Sequence, residues 1–124
     1  MFRKTIFKLK IMLTIYHNPR CSKSREAVAY LENLDKKFET VLYLENPLTE
    51  SEIKDLLLKL NRTPMDIIRK GESAWKENFK GKELTDSSLI KAMAQYPKLI
   101  ERPIIVKNNK AVIGRPVSNI EQLF

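Results

Sequence analysis

The sequence predicts one α/β domain with a mixed sheet, in the order β-α-β, a helical insert and β-β-α. Short β-prone runs occur near both ends of the chain, and helix-spaced apolar positions fill its middle. The length of 124 residues is typical of one domain with its own core. With 43% hydrophobic and 31% charged residues, the composition excludes a disordered or low-complexity chain.

The beginning of this domain predicts a β-α-β unit. Leu13–Tyr16 is a short apolar run, and Pro19 interrupts the pattern before a helix-spaced series begins. Phe38–Leu44 predicts the second strand, and parallel pairing is the default for such a unit. The helix-spaced apolar residues between the two strands are Ala27, Val28, Leu31 and Leu34.

The middle of the chain predicts three helix starts. Thr49 and Glu52 have the spacing of a capping box ahead of an apolar helix face. Thr63–Asp66 predicts a second start, with proline at the first helical position, and Thr85 predicts a third. Pro97 ends the last of these helices.

The end of the chain predicts a β-hairpin and a short helix. Ile104–Val106 and Ala111–Ile113 flank Lys107–Lys110, whose two asparagines tolerate the positive φ of a tight turn. Val117–Phe124 predicts the helix. With a cysteine after the first strand, this order of elements is that of a thioredoxin-like sheet.

Residues 1–12 are predicted to be an extension that precedes a domain of residues 13–124. Lys8 and Lys10 interrupt the apolar segment that a signal peptide needs. No apolar run approaches the roughly 20 residues of a membrane span, so no membrane partner is expected. The net charge of +8 is dispersed among acidic residues, so no nucleic-acid partner is expected either.

The single cysteine restricts both the compartment and the chemistry. One cysteine cannot form an internal disulfide, which favours a cytoplasmic protein over a disulfide-stapled secreted one. Together with one histidine, it falls short of the four ligands of a usual zinc site. We therefore expect no metal and no bound cofactor.

Cys21 is the candidate nucleophile. It lies where the first strand passes into the first helix, so its sulfur is expected to face the N–H groups of the first helical turn. That position, in a basic loop, favours the thiolate and a pKa below the ordinary value of about 8.5. A buried, inert core cysteine is the alternative, against which the polar loop and the strand-to-helix corner argue.

Three residues near Cys21 are candidates for supporting it. His17 is suited to stabilise the thiolate as imidazolium or to exchange a proton, a surface histidine being the alternative. Ser24 and Arg25 lie in the first helical turn, from which a hydroxyl and a guanidinium can approach the sulfur. Arg25 is also a candidate for binding the substrate, a solvated side chain being the alternative. Ala27 occupies the position at which a Cys-x5-Arg phosphatase loop needs arginine, which disfavours that class.

Two Arg-Pro pairs form a second candidate cluster. Arg102 precedes one strand of the predicted hairpin, and Arg115 follows the other. Because these strand ends meet in a hairpin, two guanidinium groups are expected at one spot, where their planar donors suit a tetrahedral oxyanion. Two solvated arginines are the alternative. The residue pattern around Arg69 does not by itself indicate a role in the site.

Five segments, in order, resemble the ArsC-type arsenate reductases, which work with glutathione and glutaredoxin. The resemblance runs from Leu13 to the end of the chain. The segments are Tyr16–Arg25, Tyr43–Pro47, Ile68–Lys70, Leu99–Val106 and Gly114–Pro116.

This resemblance implies a thioredoxin-like fold with a helical insert and an enzyme that reduces arsenate to arsenite. It implies that the thiolate of Cys21 attacks arsenate and that residues matching His17 and Ser24 support the thiolate. It also implies that the oxyanion is held by arginines matching Arg69, Arg102 and Arg115.

The resemblance further implies a cis peptide bond before Pro103, an X-Pro position where such a bond is plausible. Glutathione and glutaredoxin are the implied partners, because a chain with one cysteine needs its second thiol from outside. Two alternatives stay open: other glutathione-linked thiol chemistry, and a non-catalytic adaptor of the Spx type that binds RNA polymerase. Ser24 stands where a Spx-type protein normally carries a second cysteine.

Overall fold

A computed structural model describes residues 13–124, so the predicted extension of residues 1–12 lies outside the described residues. The chain divides into two compact units. Residues 13–42 together with Arg102–Phe124 form the first, here called the sheet unit. Tyr43–Glu101 forms the second, the helical unit. That residues 13–124 act as one domain stays a prediction.

The sheet unit contains a four-stranded mixed sheet with the strand order β2-β1-β3-β4. Strand β2 pairs with β1 in parallel, whereas β3 is antiparallel to both β1 and β4. The predicted mixed, thioredoxin-like sheet is thereby confirmed. The strands are β1 (Leu13–Tyr16), β2 (Glu39–Val41), β3 (Ile104–Lys107) and β4 (Lys110–Ile113).

The pairing of β1 with β3 determines which loops meet at one end of the sheet. Tyr16, the last residue of β1, pairs with Ile104, the first residue of β3. The loop that follows β1 and the segment that enters β3 therefore lie at the same end. The two candidate clusters, one around Cys21 and one around Arg102, are both at this end.

One helix covers a face of this sheet. Helix α1 (Ser22–Asn33) buries Ala27 and Leu31 against the strands, at the spacing of an amphipathic helix. Fully burying a leucine side chain contributes about 1.5–3 kcal/mol, so the contact of Leu31 stabilises the packing of α1 on the sheet. The core of the sheet unit consists of Leu13, Ile15, Ala27, Leu31, Ile105, Val112, Ile120 and Leu123.

The second strand is shorter than the predicted Phe38–Leu44. Only Glu39–Val41 is paired, with the last three residues of β1. The last hydrogen bond between these two strands is donated by the His17 N–H to the Val41 carbonyl, at 2.9 Å. Because β1 ends at Tyr16, residues after Val41 have no strand beside them, and the chain turns away.

The helical unit begins with α2 (Glu50–Leu60), whose predicted capping box is confirmed. The Thr49 hydroxyl accepts from the Glu52 N–H at 3.1 Å, and the Thr49 N–H donates to Glu52 Oε1 at 2.9 Å. Asn61 ends the helix in the left-handed conformation, with φ 56°. The unit continues with a 3-10 turn (Pro64–Ile67), α3 (Ser73–Asn78), α4 (Asp86–Gln95) and a second 3-10 turn (Pro97–Leu99).

Three short elements differ from the prediction. The start at Thr63–Asp66 yields only the four-residue 3-10 turn, because Ile68 is extended and forms a bridge with Ile100. Helix α3 was not predicted, since its six residues are too few to show a helical period. The final helix, Val117–Leu123, is a 3-10 helix.

The hairpin of β3 and β4 is confirmed, and Asn108 adopts the positive φ expected of its turn, 55°. At its open end, Gly114 lies against Pro103. The Gly114 N–H donates to the Pro103 carbonyl at 2.9 Å. A Cβ on Gly114 would lie 2.8 Å from Ile105 Cδ1 and 3.2 Å from Pro103 Cγ. A side chain at this position would therefore require Ile105 and Pro103 to shift.

We predict that Gly114→Ala lowers the free energy of unfolding by about 1–3 kcal/mol, the usual cost of overpacking. Urea denaturation followed by circular dichroism measures this. Gly71→Ala is the matched control, because a Cβ there meets no atom within 4 Å. Equal stability of the two variants would contradict the close contacts with Ile105 and Pro103.

Candidate active site

Cys21 is the residue that precedes the first turn of α1. Its N–H donates to the Asn18 carbonyl at 3.0 Å, and its carbonyl accepts from the Arg25 N–H at 3.0 Å. The backbone N–H groups of Lys23 and Ser24 approach its sulfur. The start of the helix thus supplies fixed donors for a negative charge on this atom.

Several groups compete to determine the pKa of the Cys21 thiol. Partial burial raises this pKa, but the Ser24 N–H and the guanidinium of Arg102 lower it, with a smaller contribution from the Lys23 N–H. The net result is a pKa below the ordinary thiol value. The site therefore favours the thiolate, which is the reactive form of cysteine.

Arg102 is the cation that faces this sulfur. Its guanidinium is close enough to hydrogen-bond with Cys21 and adds its positive charge there. Two of its nitrogens, Nε and Nη1, are buried and have no hydrogen-bond partner among residues 13–124. Leaving such donors unpaired costs about 1–3 kcal/mol each, so a bound acceptor would be favoured at this point. The peptide bond from Arg102 to Pro103 is cis.

Ser24 connects His17 to the loop before Cys21. Its side chain is fully buried, and its hydroxyl lies 2.6 Å from His17 Nδ1. The Asn18 N–H donates to the same hydroxyl at 3.0 Å. The Ser24 oxygen thereby holds the first two residues of the short segment that leads from β1 to the nucleophile.

The His17 ring is biased towards its neutral form. Burial, and secondarily the charge of Arg25, lower the pKa of His17 below its ordinary value. Of the two predicted roles, this shift favours proton exchange over thiolate support as imidazolium, and both roles stay predictions. With the ring proton on Nε2, the Ser24 hydroxyl donates to Nδ1.

Arg25 is used to hold the nucleophile loop. Its Nη1 donates to the Pro19 carbonyl at 2.8 Å, which links the first turn of α1 to the loop in front of it. The predicted contact of Arg25 with a substrate stays a prediction.

Arg115 lies beside the entry to β3, as the hairpin prediction required. Ile104 pairs with Ile113, and the hydrogen bond between Gly114 and Pro103 extends this pairing by one step. Arg102 and Arg115 are the next residues at the two strand ends. Arg115 is exposed, and only its carbonyl is hydrogen-bonded within residues 13–124, to Asn119 Nδ2 at 3.2 Å. Its guanidinium is available to a ligand.

Arg69 belongs to the helical unit, where acidic groups surround it. Its Nη1 lies 3.1 Å from Glu72 Oε2, and its Nε lies 3.6 Å from Glu101 Oε1. Its backbone N–H donates to the Leu99 carbonyl at 2.7 Å. The oxyanion role implied for Arg69 by the family resemblance stays a prediction.

Asn18 is a structural residue of the site that sequence reasoning did not single out. Its N–H contacts Ser24, its carbonyl accepts from Cys21, and its Oδ1 accepts from the Arg20 N–H at 3.1 Å. An asparagine directly before proline is a signal for such a turn, because its side chain bonds the backbone two residues ahead.

Two further features of the described chain bear on function. Within residues 13–124, no three His, Cys, Asp or Glu side chains are grouped as metal ligands. In the same range, no helix has the length and apolar character needed to cross a membrane.

Comparison with known proteins identifies the family. The model of the ArsC family matches residues 16–123, which is nearly the whole described chain. The chain belongs to the ArsC family. The matched range includes all the candidate site residues from His17 to Arg115.

Individual ArsC-family proteins are similar over most of this chain. The arsenate reductase of Neisseria meningitidis serogroup A is 41% identical over 114 residues, which cover 90% of this chain and 97% of that protein. An Escherichia coli K12 protein named "Uncharacterized protein YfgD" is 44% identical, over 88% of this chain and 93% of its own length. The solved arsenate reductase of Vibrio cholerae has a TM-score of 0.88 at 40% identity, over 92% and 98% of the two chains.

We predict that Arg102→Gln raises the pKa of Cys21, because the substitution removes the guanidinium charge beside the sulfur. The rate of iodoacetamide alkylation against pH measures this pKa, since Cys21 is the only cysteine. Lys23→Gln is the control, in which the pKa of Cys21 is expected to stay unchanged. It removes a nearby charge but keeps the backbone N–H that approaches the sulfur. An ordinary thiol pKa in the unaltered protein would contradict the activated thiolate.

We predict that Arg25→Gln raises the pKa of His17 but leaves it below the ordinary imidazole value, because burial is the larger cause of the shift. An NMR pH titration of tag-free protein measures it on the single histidine. Arg20→Gln, which removes a charge from the same loop, is expected to leave the His17 pKa unchanged. A lower pKa in Arg25→Gln would refute the assigned cause.

Proposed function

We propose that this protein is an oxidoreductase that reduces arsenate to arsenite through a covalent adduct on Cys21. The observation that carries the proposal is the Arg102 guanidinium, which faces the sulfur and has two buried, unpartnered nitrogens. Arsenate is the substrate because the chain belongs to the ArsC family and its relatives include proteins named arsenate reductase.

The first step is binding of the oxyanion beside the thiolate. Hydrogen bonds from a guanidinium to an oxyanion are charge-assisted and are stronger than neutral ones. Arg102 supplies such donors in a partly buried position, and Arg115 brings a second guanidinium to the adjacent strand end. Arg69 is proposed as a third ligand on the basis of the family resemblance alone.

The second step is nucleophilic attack. The Cys21 thiolate forms an S–As bond, and an arsenate oxygen leaves as water after protonation. Once this bond has formed, the sulfur near the N–H groups of Lys23 and Ser24 no longer carries the full negative charge of the thiolate. The neutral His17, hydrogen-bonded to the Ser24 hydroxyl, is suited to exchange a proton during this step.

The reduction itself needs two further thiols, because the chain has no second cysteine. Glutathione bonds to the arsenic through its sulfur and displaces a second oxygen as water. The thiolate of glutaredoxin then attacks the glutathione sulfur and forms a disulfide, and the electron pair of the broken S–As bond reduces arsenic from +5 to +3. Water releases arsenite and restores Cys21. In sum, arsenate and two thiols yield arsenite, one disulfide and one water.

The proposed compartment is the cytoplasm. The mechanism requires Cys21 as a free thiolate and a supply of reduced glutathione and glutaredoxin. Thiols are kept reduced in the cytoplasm, whereas secreted proteins are oxidised.

We predict that the purified protein, given arsenate, glutathione and glutaredoxin, forms arsenite, measured by chromatography with elemental detection. Cys21→Ser is expected to abolish arsenite formation. Arg102→Gln is expected to lower kcat/KM for arsenate roughly tenfold to a hundredfold, because it removes a charge-assisted hydrogen bond. Lys37→Gln, at the opposite end of the sheet from Cys21, is the matched single-charge control.

Two outcomes would contradict the proposal. Arsenite formation by Cys21→Ser at the unaltered rate would show that the cysteine is not the nucleophile. Absence of arsenite in the complete assay, with Cys21 still alkylated at an elevated rate, would exclude arsenate reduction. It would leave other glutathione-linked chemistry or the adaptor role.

A further inference from the structure

Arg20 directly precedes Cys21 and is exposed, but it has no part in the steps described above. We propose that Arg20 binds a carboxylate of the small thiol that attacks the arsenic bound to Cys21, and so selects an anionic thiol as donor. This inference rests on the proposed function, which requires a thiol from outside the chain.

The donor must approach Cys21 from solvent. The sulfur is bounded by buried or half-buried groups in Ser24 and Arg102, whereas Pro19, Arg20 and Ser22 are exposed next to Cys21 in the chain. A small thiol that reaches this atom therefore passes the exposed loop. The charge on that loop contributes to which thiols approach fastest.

Residues 17–25 contain three cations and no acid. Two of these cations already have partners: Arg25 Nη1 donates to the Pro19 carbonyl at 2.8 Å, and Lys23 Nζ lies 3.7 Å from Glu26 Oε2. The third, Arg20, makes no side-chain hydrogen bond or ion pair among residues 13–124. Its backbone is held by the bond from its N–H to Asn18 Oδ1, at 3.1 Å.

The charge of Arg20 is also not among the main influences on the nucleophile. The principal groups that lower the pKa of Cys21 are backbone N–H groups and the guanidinium of Arg102. Arg20 therefore has a fixed backbone and lies next to Cys21 in the chain. Its guanidinium has no hydrogen bond or ion pair with a described residue. Its charge is left for a molecule that arrives at the loop.

The chemistry of the guanidinium indicates what that molecule carries. Its planar pairs of N–H donors match the two oxygens of a carboxylate, and the group stays charged at all physiological pH values. Glutathione carries carboxylates on the same small molecule as its thiol. A neutral or cationic thiol gains nothing from Arg20.

Thiol–disulfide exchange without arsenate tests this assignment. Cys21 is first converted to its mixed disulfide with 2-mercaptoethanol, by exchange with the disulfide of that thiol. Anionic glutathione, neutral 2-mercaptoethanol and cationic cysteamine then reduce it in separate reactions, in each of which the Cys21 thiolate is displaced as a new disulfide forms. Quenched intact-protein mass spectrometry measures the rate.

Arg20→Gln is compared with the unaltered protein and with Lys37→Gln, which removes the same charge at the other end of the sheet. Dividing each variant's rate by that of the unaltered protein, for the same thiol, cancels the intrinsic reactivity of the thiol. Arg20→Gln is expected to lower the rate with glutathione about three- to fivefold, which is the size of effect that an exposed ion pair gives, and to leave the rate with 2-mercaptoethanol unchanged. The rate with cysteamine is expected to be higher in Arg20→Gln than in the unaltered protein.

Salt provides a second arm of the test. Raising the ionic strength is expected to lower the rate at which glutathione reduces the unaltered protein, because salt screens exposed charges. The same change is expected to have less effect on the rate with Arg20→Gln. Equal slowing of all three thiols, or the same rates in Arg20→Gln and Lys37→Gln, would overturn the assignment. Because no arsenate is present, this result is independent of whether the protein reduces arsenate.

Discussion

The contact between the Arg102 guanidinium and the Cys21 sulfur is the interaction on which the rest of the site depends. These residues are far apart in the chain, and the antiparallel pairing of β1 with β3 brings their loops to one end of the sheet. Without that pairing, Cys21 would keep its helix N-terminus but lose its nearest cation. The sheet register is therefore also a determinant of the thiol's electrostatics.

Around this contact, the surrounding residues have separate tasks. Backbone N–H groups and Arg102 stabilise the thiolate, whereas Ser24, Asn18 and Arg25 hold the loop in place. This separation explains why basic residues so close together do not act alike. A charge influences Cys21 strongly only where its group reaches the sulfur, because exposed charges in water interact weakly.

The buried and the exposed cations near Cys21 suit different molecules. The buried donors of Arg102 suit a small oxyanion bound beside the sulfur. The exposed Arg20 suits a larger molecule that makes contact from solvent. A reaction that uses an oxyanion and then external thiols needs both.

The sequence by itself determined the β-α-β beginning, the final hairpin, the capping box of α2 and the placement of Cys21 at a helix start, because these depend on residues close in the chain. It did not determine the length of β2 or the 3-10 turn at Pro64–Ile67, since both are limited by which distant residues pair with them. Only the tertiary structure decided that Arg102 faces the sulfur while Arg25 holds the loop. The prediction placed Arg25 near Cys21 and Arg102 at the end of the hairpin, and only the packing of distant segments shows which of the two reaches the sulfur.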